Sequence, residues 1–312
     1  MNKLRLPENM PKEQWLRLRR RGIGGSDAGA VMGVNPYQSI LELWMDKTNQ
    51  LVIEKPETES AYWGKLLEPV VREEFTKRSG LPVQLVPFLL QHEKHIFMLA
   101  NLDGMVEDPV YGPCVFEAKT NSAYKSEEWQ KGIPDSYYAQ LQHYLAITGW
   151  KGAYIAALIG GNDFIYRFIP RDEAYIERLI NREEAFWNFV KMRQMPPADG
   201  SKATAEFLKR EYEIARADST IILSADSQKW LEQYHEASSE LKAAEKKKAE
   251  AESNIKLLMG SHETAFIGKT EISWPNIVSQ RLNNKKLQME EPELYAQYLN
   301  ESKCRRFTVK AV

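Results

Sequence analysis

Apolar residues recur at helical spacing in three stretches of the chain, with strand-like runs between them. Over 61–79, Tyr62, Leu66, Val70 and Phe75 fall roughly on one face, and Gly80 followed by Pro82 ends the pattern, which predicts a helix. Val86–Leu90, His95–Ala100 and Val115–Lys119 then read as strands, with Asp108-Pro109 and Tyr111-Gly112-Pro113 as the turn before the third. Ser136–Thr148 is a second helix, with Tyr137, Leu141, Tyr144 and Leu145 apolar and Gly149 as its stop. Ala153–Ile159 and Phe164–Ile169 read as a hairpin across Gly160-Gly161-Asn162-Asp163, and Asp172–Met195 as a long helix stopped by Pro196-Pro197. Helix, three strands, helix, two strands, helix is an α/β order, in which a mostly antiparallel meander enters a crossover.

The two ends of the chain differ from this middle. Arg17, Arg19, Arg20 and Arg21 form a basic run that leads into the glycine-rich segment Gly22–Gly33. Ser26 is placed to cap a following helix with Asp27 in its first turn, and Ser39 to cap a second short helix through Trp44 and Lys47. The stretch 196–201 (PPADGS) marks the clearest boundary, which predicts a first domain over 1–197 and a C-terminal helical extension with short strands over 198–312. In the extension, Trp230, Tyr234, Ala237, Leu241, Ala244, Lys248, Ala251, Ile255 and Leu258 alternate in steps of four and three, a heptad seam with Lys248 as its polar break. One such helix cannot bury its seam alone, so 203–222 or a second copy of the chain is expected against it. Thr264–Trp274 and Arg305–Val309 read as short strands around a helix near Glu291–Leu299.

The 312 residues are 43% hydrophobic and 27% charged, enough apolar material for a sizeable core, which excludes wholesale disorder. A formal net charge of −1 supplies no overall attraction for nucleic acid, so any contact with DNA must come from local clusters. Cys114 and Cys304 cannot make a disulfide framework or a four-thiolate site within one chain, and the five histidines show no metal-ligand spacing. The N-terminus lacks an apolar h-region, and the longest apolar run, Ala153–Ile159, is far too short for a membrane helix. A reducing cytoplasm is the expected setting, with no membrane partner.

The candidate chemistry lies in the third strand. Glu117 and Lys119 alternate with Ala118 and therefore point the same way. Antiparallel pairing can bring Asp103, from Asn101-Leu102-Asp103-Gly104, beside them. Adjacent carboxylates repel and raise each other's pKa unless a cation neutralises them. Mg²⁺ takes oxygen ligands and keeps waters for a phosphate substrate, Mn²⁺ can substitute, and a lysine can orient the attacking water. Glu68, one helical turn beyond Gly64, is a third acid, and Gln140 and Tyr144 share one face of the later helix. The alternative is an ordinary ion pair between Glu117 and Lys119, with Glu68 a solvated helical glutamate and Tyr144 a core aromatic. Gly22–Gly33 has the small residues and the Ser26 hydroxyl that suit an anion, beside arginines suited to bidentate phosphate contact. It is neither a Walker A loop nor a Rossmann fingerprint.

Six blocks in order, RRRGIGGSDAGAVMGVNPY, ELWMDKT, AYWGKLLEP, NLDG, FEAKT and YYAQLQHYLAITG, resemble the YqaJ-type viral recombinase family over about residues 13–195. These phage and prophage nucleases are similar to phage lambda exonuclease, within the PD-(D/E)xK superfamily. The resemblance implies a restriction-endonuclease-like core, a central mixed sheet flanked by helices. It implies a metal-dependent 5′-to-3′ exonuclease of double-stranded DNA ends that leaves a 3′ single strand for an annealing protein of the RecT/Redβ type, in the cytoplasm of a bacterial host. By the same resemblance Glu68, Asp103, Glu117 and the Ala118 backbone carbonyl hold the metal. Lys119 is the catalytic lysine, Gln140 completes the catalytic set, and Arg19, Ser26 and Lys125 hold the 5′-phosphate. Lys125 departs from the arginine of a well-known relative, and Leu102 from the superfamily proline. A ring-shaped trimer is the oligomer so implied. The competing readings are an end-independent endonuclease of the same fold and a non-catalytic DNA-binding scaffold. A CRISPR-associated, cluster-binding nuclease is disfavoured by the cysteine count.

Overall fold

The computed structural model describes residues 1–5, 11–50, 58–300 and 304–310. It separates into two compact units, Met1–Glu213 and Ile214–Val312. The first unit opens with β1 (Asn2–Arg5), α1 (Lys12–Arg19), β2 (Ile23–Gly24), α2 (Gly25–Val31) and α3 (Ile40–Lys47). It continues through α4 (Glu59–Ser79), β3 (Val83–Gln84), β4 (Phe88–Gln91), β5 (Met98–Ala100), β6 (Gly104–Asp108) and β7 (Gly112–Asn121). Then come α5 (Ser126–Lys131), α6 (Asp135–Thr148), β8 (Gly152–Ile159), β9 (Asp163–Pro170), α7 (Glu173–Met192) and α8 (Lys202–Glu211).

A five-stranded sheet in the order β3-β6-β7-β8-β9 forms the centre. β7 and β8 are parallel, with Glu117 opposite Ile155 and Lys119 opposite Ala157, and every other pairing in this sheet is antiparallel. The parallel pair requires a crossover, and α6 lies within it. A second sheet, β1-β4-β5-β2, has only its β2–β5 pair parallel. The mixed sheets flanked by helices carry the expected α/β architecture. The two faces of the central sheet have separate cores. Val115, Ala153, Ile155 and Ala157 pack with Leu141 and Leu145 of α6, whereas Phe116 and Ala156 pack with Val71 and Phe75 of α4. From Ala139 to Ile147 every residue of α6 is buried, so this helix is core on all sides.

Several sequence expectations move. Of the run Val86–Leu90 only Phe88–Leu90 is strand, within β4, and Pro87, which has no N–H for a ladder, stands just before it; β3 lies ahead of the run and in the other sheet. His95–Phe97 lies in a turn, where the His92 Nδ1 accepts from the Lys94 and His95 backbone N–H groups, so only Met98–Ala100 is strand. Gly104–Asp108, which the sequence pattern does not give as a strand, is one, and Asp108, expected in the turn, is its last residue. On α4 the sheet-facing residues are Val71 and Phe75, and Tyr62, Leu66 and Val70 are exposed, so three of the four residues proposed for the inner face lie outside it. Ser26 is not the cap of α2. Gly24 is, and its N–H donates to the Asp27 carboxylate at 2.9 Å. Ser39 does cap α3, accepting from the Glu42 N–H at 3.0 Å. α7 stops at Met192 because Arg193 turns left-handed at φ 52°, before the prolines are reached.

α8 belongs with the first unit, where the sequence boundary had assigned it to the second. Ala203 and Phe207 are buried, and Arg210 pairs with Glu42 of α3 at 3.0 Å. In the second unit a single helix, α9 (Gln228–Met259), carries the heptad seam and has Met259 as its one buried residue. β10 (Thr264–Ile267) and β11 (Thr270–Ser273) form a hairpin, followed by α10 (Asn284–Glu290) and α11 (Pro292–Gln297). Residues 305–309 are not a strand, and the Phe307 ring lies against Tyr234 at 5.8 Å.

Candidate active site

β7 carries Glu117 and Lys119 on the face covered by α6, and their side chains meet in a closed knot. The Lys119 ammonium donates to Glu117 Oε1 at 2.6 Å and to Gln140 Oε1 at 3.1 Å. The Gln140 amide donates to the same Glu117 oxygen at 2.6 Å and to the Tyr144 hydroxyl at 3.0 Å. Gln140 and Tyr144 share one face of α6, as their i, i+4 spacing predicts. Lys119 also lies 4.8 Å from the Tyr137 ring centroid, a cation–π contact that fixes its stem. Asp103 stands at the start of β6 and accepts the Ala118 N–H at 2.9 Å, which locks its carboxylate beside the strand.

Electrostatics mark this cluster. Burial, and then the charge of Asp103, push the Glu117 carboxyl up to about 8. Burial also raises Asp103, although Lys119 opposes it. Lys119 is held above its ordinary range by Glu117 and Asp103, against the desolvation that disfavours its charge. Tyr144 stays protonated because it is buried beside Glu117 and Asp103. Glu68 contributes from α4, on the other layer. It is half-buried, 3.5 Å from the Arg72 guanidinium, and raised by burial and by Asp103. It is therefore coupled to the cluster without a hydrogen bond to it.

Glu117 Oε2 is buried and has no hydrogen-bond partner. A carboxylate oxygen buried without a donor is costly, and a cation is one way to satisfy it. Among the described residues no three His, Cys, Asp or Glu side chains form a ready cage. Asp103 and Glu117 are the two carboxylates that converge on this cavity, and a hard cation can be held by one or two carboxylates with water, carbonyl and phosphate oxygens in its remaining positions.

The cluster opens into a cavity of about 250 Å³, which is also lined by Trp15, Arg19, Gly24, Gly25 and Ser26. The Arg19 guanidinium donates to Ser26 Oγ at 2.7 Å. Gly25 makes this junction possible, because a Cβ there would lie 2.3 Å from the Tyr144 ring. The glycine-rich segment and the acidic strand thus share one cavity.

A family model described as the YqaJ-like viral recombinase domain matches residues 14–151. An uncharacterised Bacillus subtilis protein, YqaJ, is 39% identical over 97% of this chain and 95% of its own length. The chain belongs to the YqaJ-like viral recombinase family. Among solved structures, an alkaline exonuclease from Laribacter hongkongensis aligns with a TM-score of 0.50 and 22% identity, covering 65% of this chain and 98% of that one. It shows that the fold is shared. The same exonuclease in complex with dAMP aligns at 0.49 with 22% identity over the same shares.

The positions that the sequence singled out divide into two groups within this family's fold. Asp103, Glu117, Lys119 and Gln140 come together, and Arg19 and Ser26 face them across the cavity. Lys125 does not join them. It pairs with Glu128 at 2.9 Å and lines a separate cavity with Tyr37, Asn121 and Tyr137. Sequence reading missed two buried partners of Arg19. Asp27 was read as a first-turn acid and Lys47 as the end of a short helix, yet they meet at 2.6 Å behind the cavity wall. It also missed the fully buried His143–Glu183 pair at 2.7 Å, whose second imidazole nitrogen lies 3.0 Å from the Leu99 carbonyl. No motif spacing announces that pair, since its members are separated by a strand hairpin.

Proposed function

We propose that this chain is a metal-dependent exonuclease of duplex DNA ends that digests in the 5′-to-3′ direction and leaves a 3′ single strand for annealing-based recombination. One observation carries the reading: Glu117, whose Oε2 is buried without a donor and whose Oε1 accepts from Lys119, lines the same cavity as Asp103, Gln140, Arg19 and Ser26. Membership of a viral recombinase family and the fold shared with an alkaline exonuclease support it.

Asp103, Glu117 and the Ala118 carbonyl are the groups suited to hold Mg²⁺ or Mn²⁺, with Glu68 adding charge from α4. When bound, the ion polarises the phosphate and lowers the pKa of a coordinated water. Lys119, charged and fixed by three contacts, orients the nucleophilic water and stabilises negative charge on the phosphate. Gln140 holds Lys119 and Glu117 in register and is a positioning residue. Arg19 and Ser26 hold the terminal phosphate, which sets the end of the strand at a fixed distance from the acidic cluster. Such an end-stop is what distinguishes exonucleolytic from internal cutting.

The test is digestion of linear duplexes labelled separately at each 5′ end, with closed circular duplex as control, in Mg²⁺ and in EDTA. Loss of the 5′ label from linear DNA alone, only with metal, is expected. Equal cutting of the circle would replace this reading with an endonuclease, and inactivity on both would leave a DNA-binding scaffold.

A further inference from the structure

Arg19 faces the cavity from a charged group that the proposed chemistry leaves without a role. Behind it, the Lys47 ammonium donates to Asp27 Oδ2 at 2.6 Å and to the Arg19 carbonyl at 3.1 Å. The Lys47 and Asp27 side chains are 1% and 6% exposed, so this is a pair withdrawn from water. Asp27 Oδ2 also accepts the Gly24 N–H at 2.9 Å. The Arg19 guanidinium is 3.6 Å from the other Asp27 oxygen, a looser approach than that of Lys47, and its own hydrogen bond goes to Ser26. Within the trio Arg19, Asp27 and Lys47 there are two positive charges and one negative, with the negative one engaged by the buried lysine. The surplus positive charge belongs to Arg19, the member that opens on the cavity.

We propose that Asp27 and Lys47 set the selectivity for phosphorylated over hydroxyl DNA ends, Lys47 by occupying the carboxylate that would otherwise neutralise Arg19. The inference rests on the end-phosphate reading of the Arg19–Ser26 pocket. Neither residue touches the substrate. Asp27 fixes where the guanidinium stands, and Lys47 keeps it electrically free to take an anion. Burial strengthens the effect, because charges screened from water by the protein interact more strongly than exposed ones. Lys47→Met keeps the length of the side chain and removes its charge. Asp27 then turns its whole charge on Arg19, and the local sum falls from one positive charge to none. Asp27→Asn combined with Lys47→Met removes one charge of each sign and restores the surplus on Arg19.

The test is equilibrium binding of short duplexes ending in a 5′-phosphate or a 5′-hydroxyl, measured in EDTA so that no cleavage occurs. The unmodified protein is expected to prefer the phosphorylated end by ~10-fold or more, each tenfold corresponding to ~1.4 kcal/mol. Lys47→Met brings the ratio to near unity, and the double variant returns it towards that of the unmodified protein. A ratio unmoved by Lys47→Met, or not recovered by the double variant, overturns the inference, as does absence of preference in the unmodified protein. If Lys47→Met does not fold, as judged by thermal unfolding, Lys47→Gln decides: it removes the charge and keeps a donor towards Asp27 and the Arg19 carbonyl, so the ratio must fall towards unity, and a ratio unmoved refutes the idea. Failure of the nuclease reading is scored separately, by digestion in Mg²⁺, and leaves this binding ratio intact as a measurement.

Discussion

The pH dependence of the metal-free fold offers a direct reading of the acidic cluster. Glu117 is 2% exposed and its carboxyl is raised to about 8, from an ordinary glutamate value of 4.5. A carboxyl raised in the folded state binds a proton there that the unfolded chain has released. Between about pH 5 and pH 8 the native state therefore holds more protons than the unfolded state at this site, and stability falls as pH rises. The slope from this single group approaches ~1.4 kcal/mol per pH unit within that window as an upper limit. Lys119 works outside the window, because its raised pKa keeps it charged throughout. Asp103 and Glu183, both raised by burial, add slopes of the same sign. Comparison with Glu117→Gln removes most of that background. The neutral amide imitates the protonated acid, so the variant is expected to match the unmodified protein near pH 5 and to exceed it in stability at pH 8. Denaturant unfolding in EDTA at several pH values measures this. Parallel pH profiles for the two proteins would show that Glu117 does not titrate in this range and would refute the account of its burial. Saturating Mg²⁺ should stabilise the unmodified protein more than the variant, since a ligand that binds only the folded state adds to its stability.

Lys119→Met is expected to lower digestion of linear duplex by ~100-fold or more while leaving a cooperative thermal transition, and near-normal rates would remove Lys119 from the chemistry. Gly25→Ala drives a methyl group into the Tyr144 ring, at 2.3 Å before relaxation, and should cost ~1–3 kcal/mol in denaturant unfolding together with loss of DNA-end binding. His143→Ala leaves Glu183 buried without its imidazole partner and should cost ~3–5 kcal/mol, and a loss below 1 kcal/mol would show that the pair is not charged. A chain ending at Glu213 should unfold at a higher temperature than one ending at Pro197, because only the longer one keeps Phe207 and Arg210 against α3; equal midpoints would refute that packing.

What the chain discloses in one dimension follows from how local each feature is. The helices α4, α6 and α7 and the strands β7, β8 and β9 were legible in order because they depend on periodicity and on Gly80, Gly149 and the 160–163 turn, all read within a few residues. Glu117 and Lys119 were legible because strand alternation alone puts them on one face, and Gln140 with Tyr144 because helical spacing does the same. The buried face of α4 was not. Tyr62, Leu66 and Val70 are as apolar as Val71 and Phe75, and nothing in their spacing says which set the sheet will cover. Lys125 was assigned to the phosphate by resemblance alone; the chain leaves β7 at Asn121 and turns towards α5, so Lys125 lines a different cavity. Asp27 and Lys47 were invisible as a pair because they come from different helices, joined by a turn whose geometry no periodicity encodes. The residues most open to local reading are those to which we assign the chemistry, since an acid and a lysine two positions apart on a strand must share a face. The residues that tune it act through tertiary contacts. For that reason the charge balance behind Arg19, rather than the acidic cluster itself, is where a sequence alone says least about how this site selects its substrate.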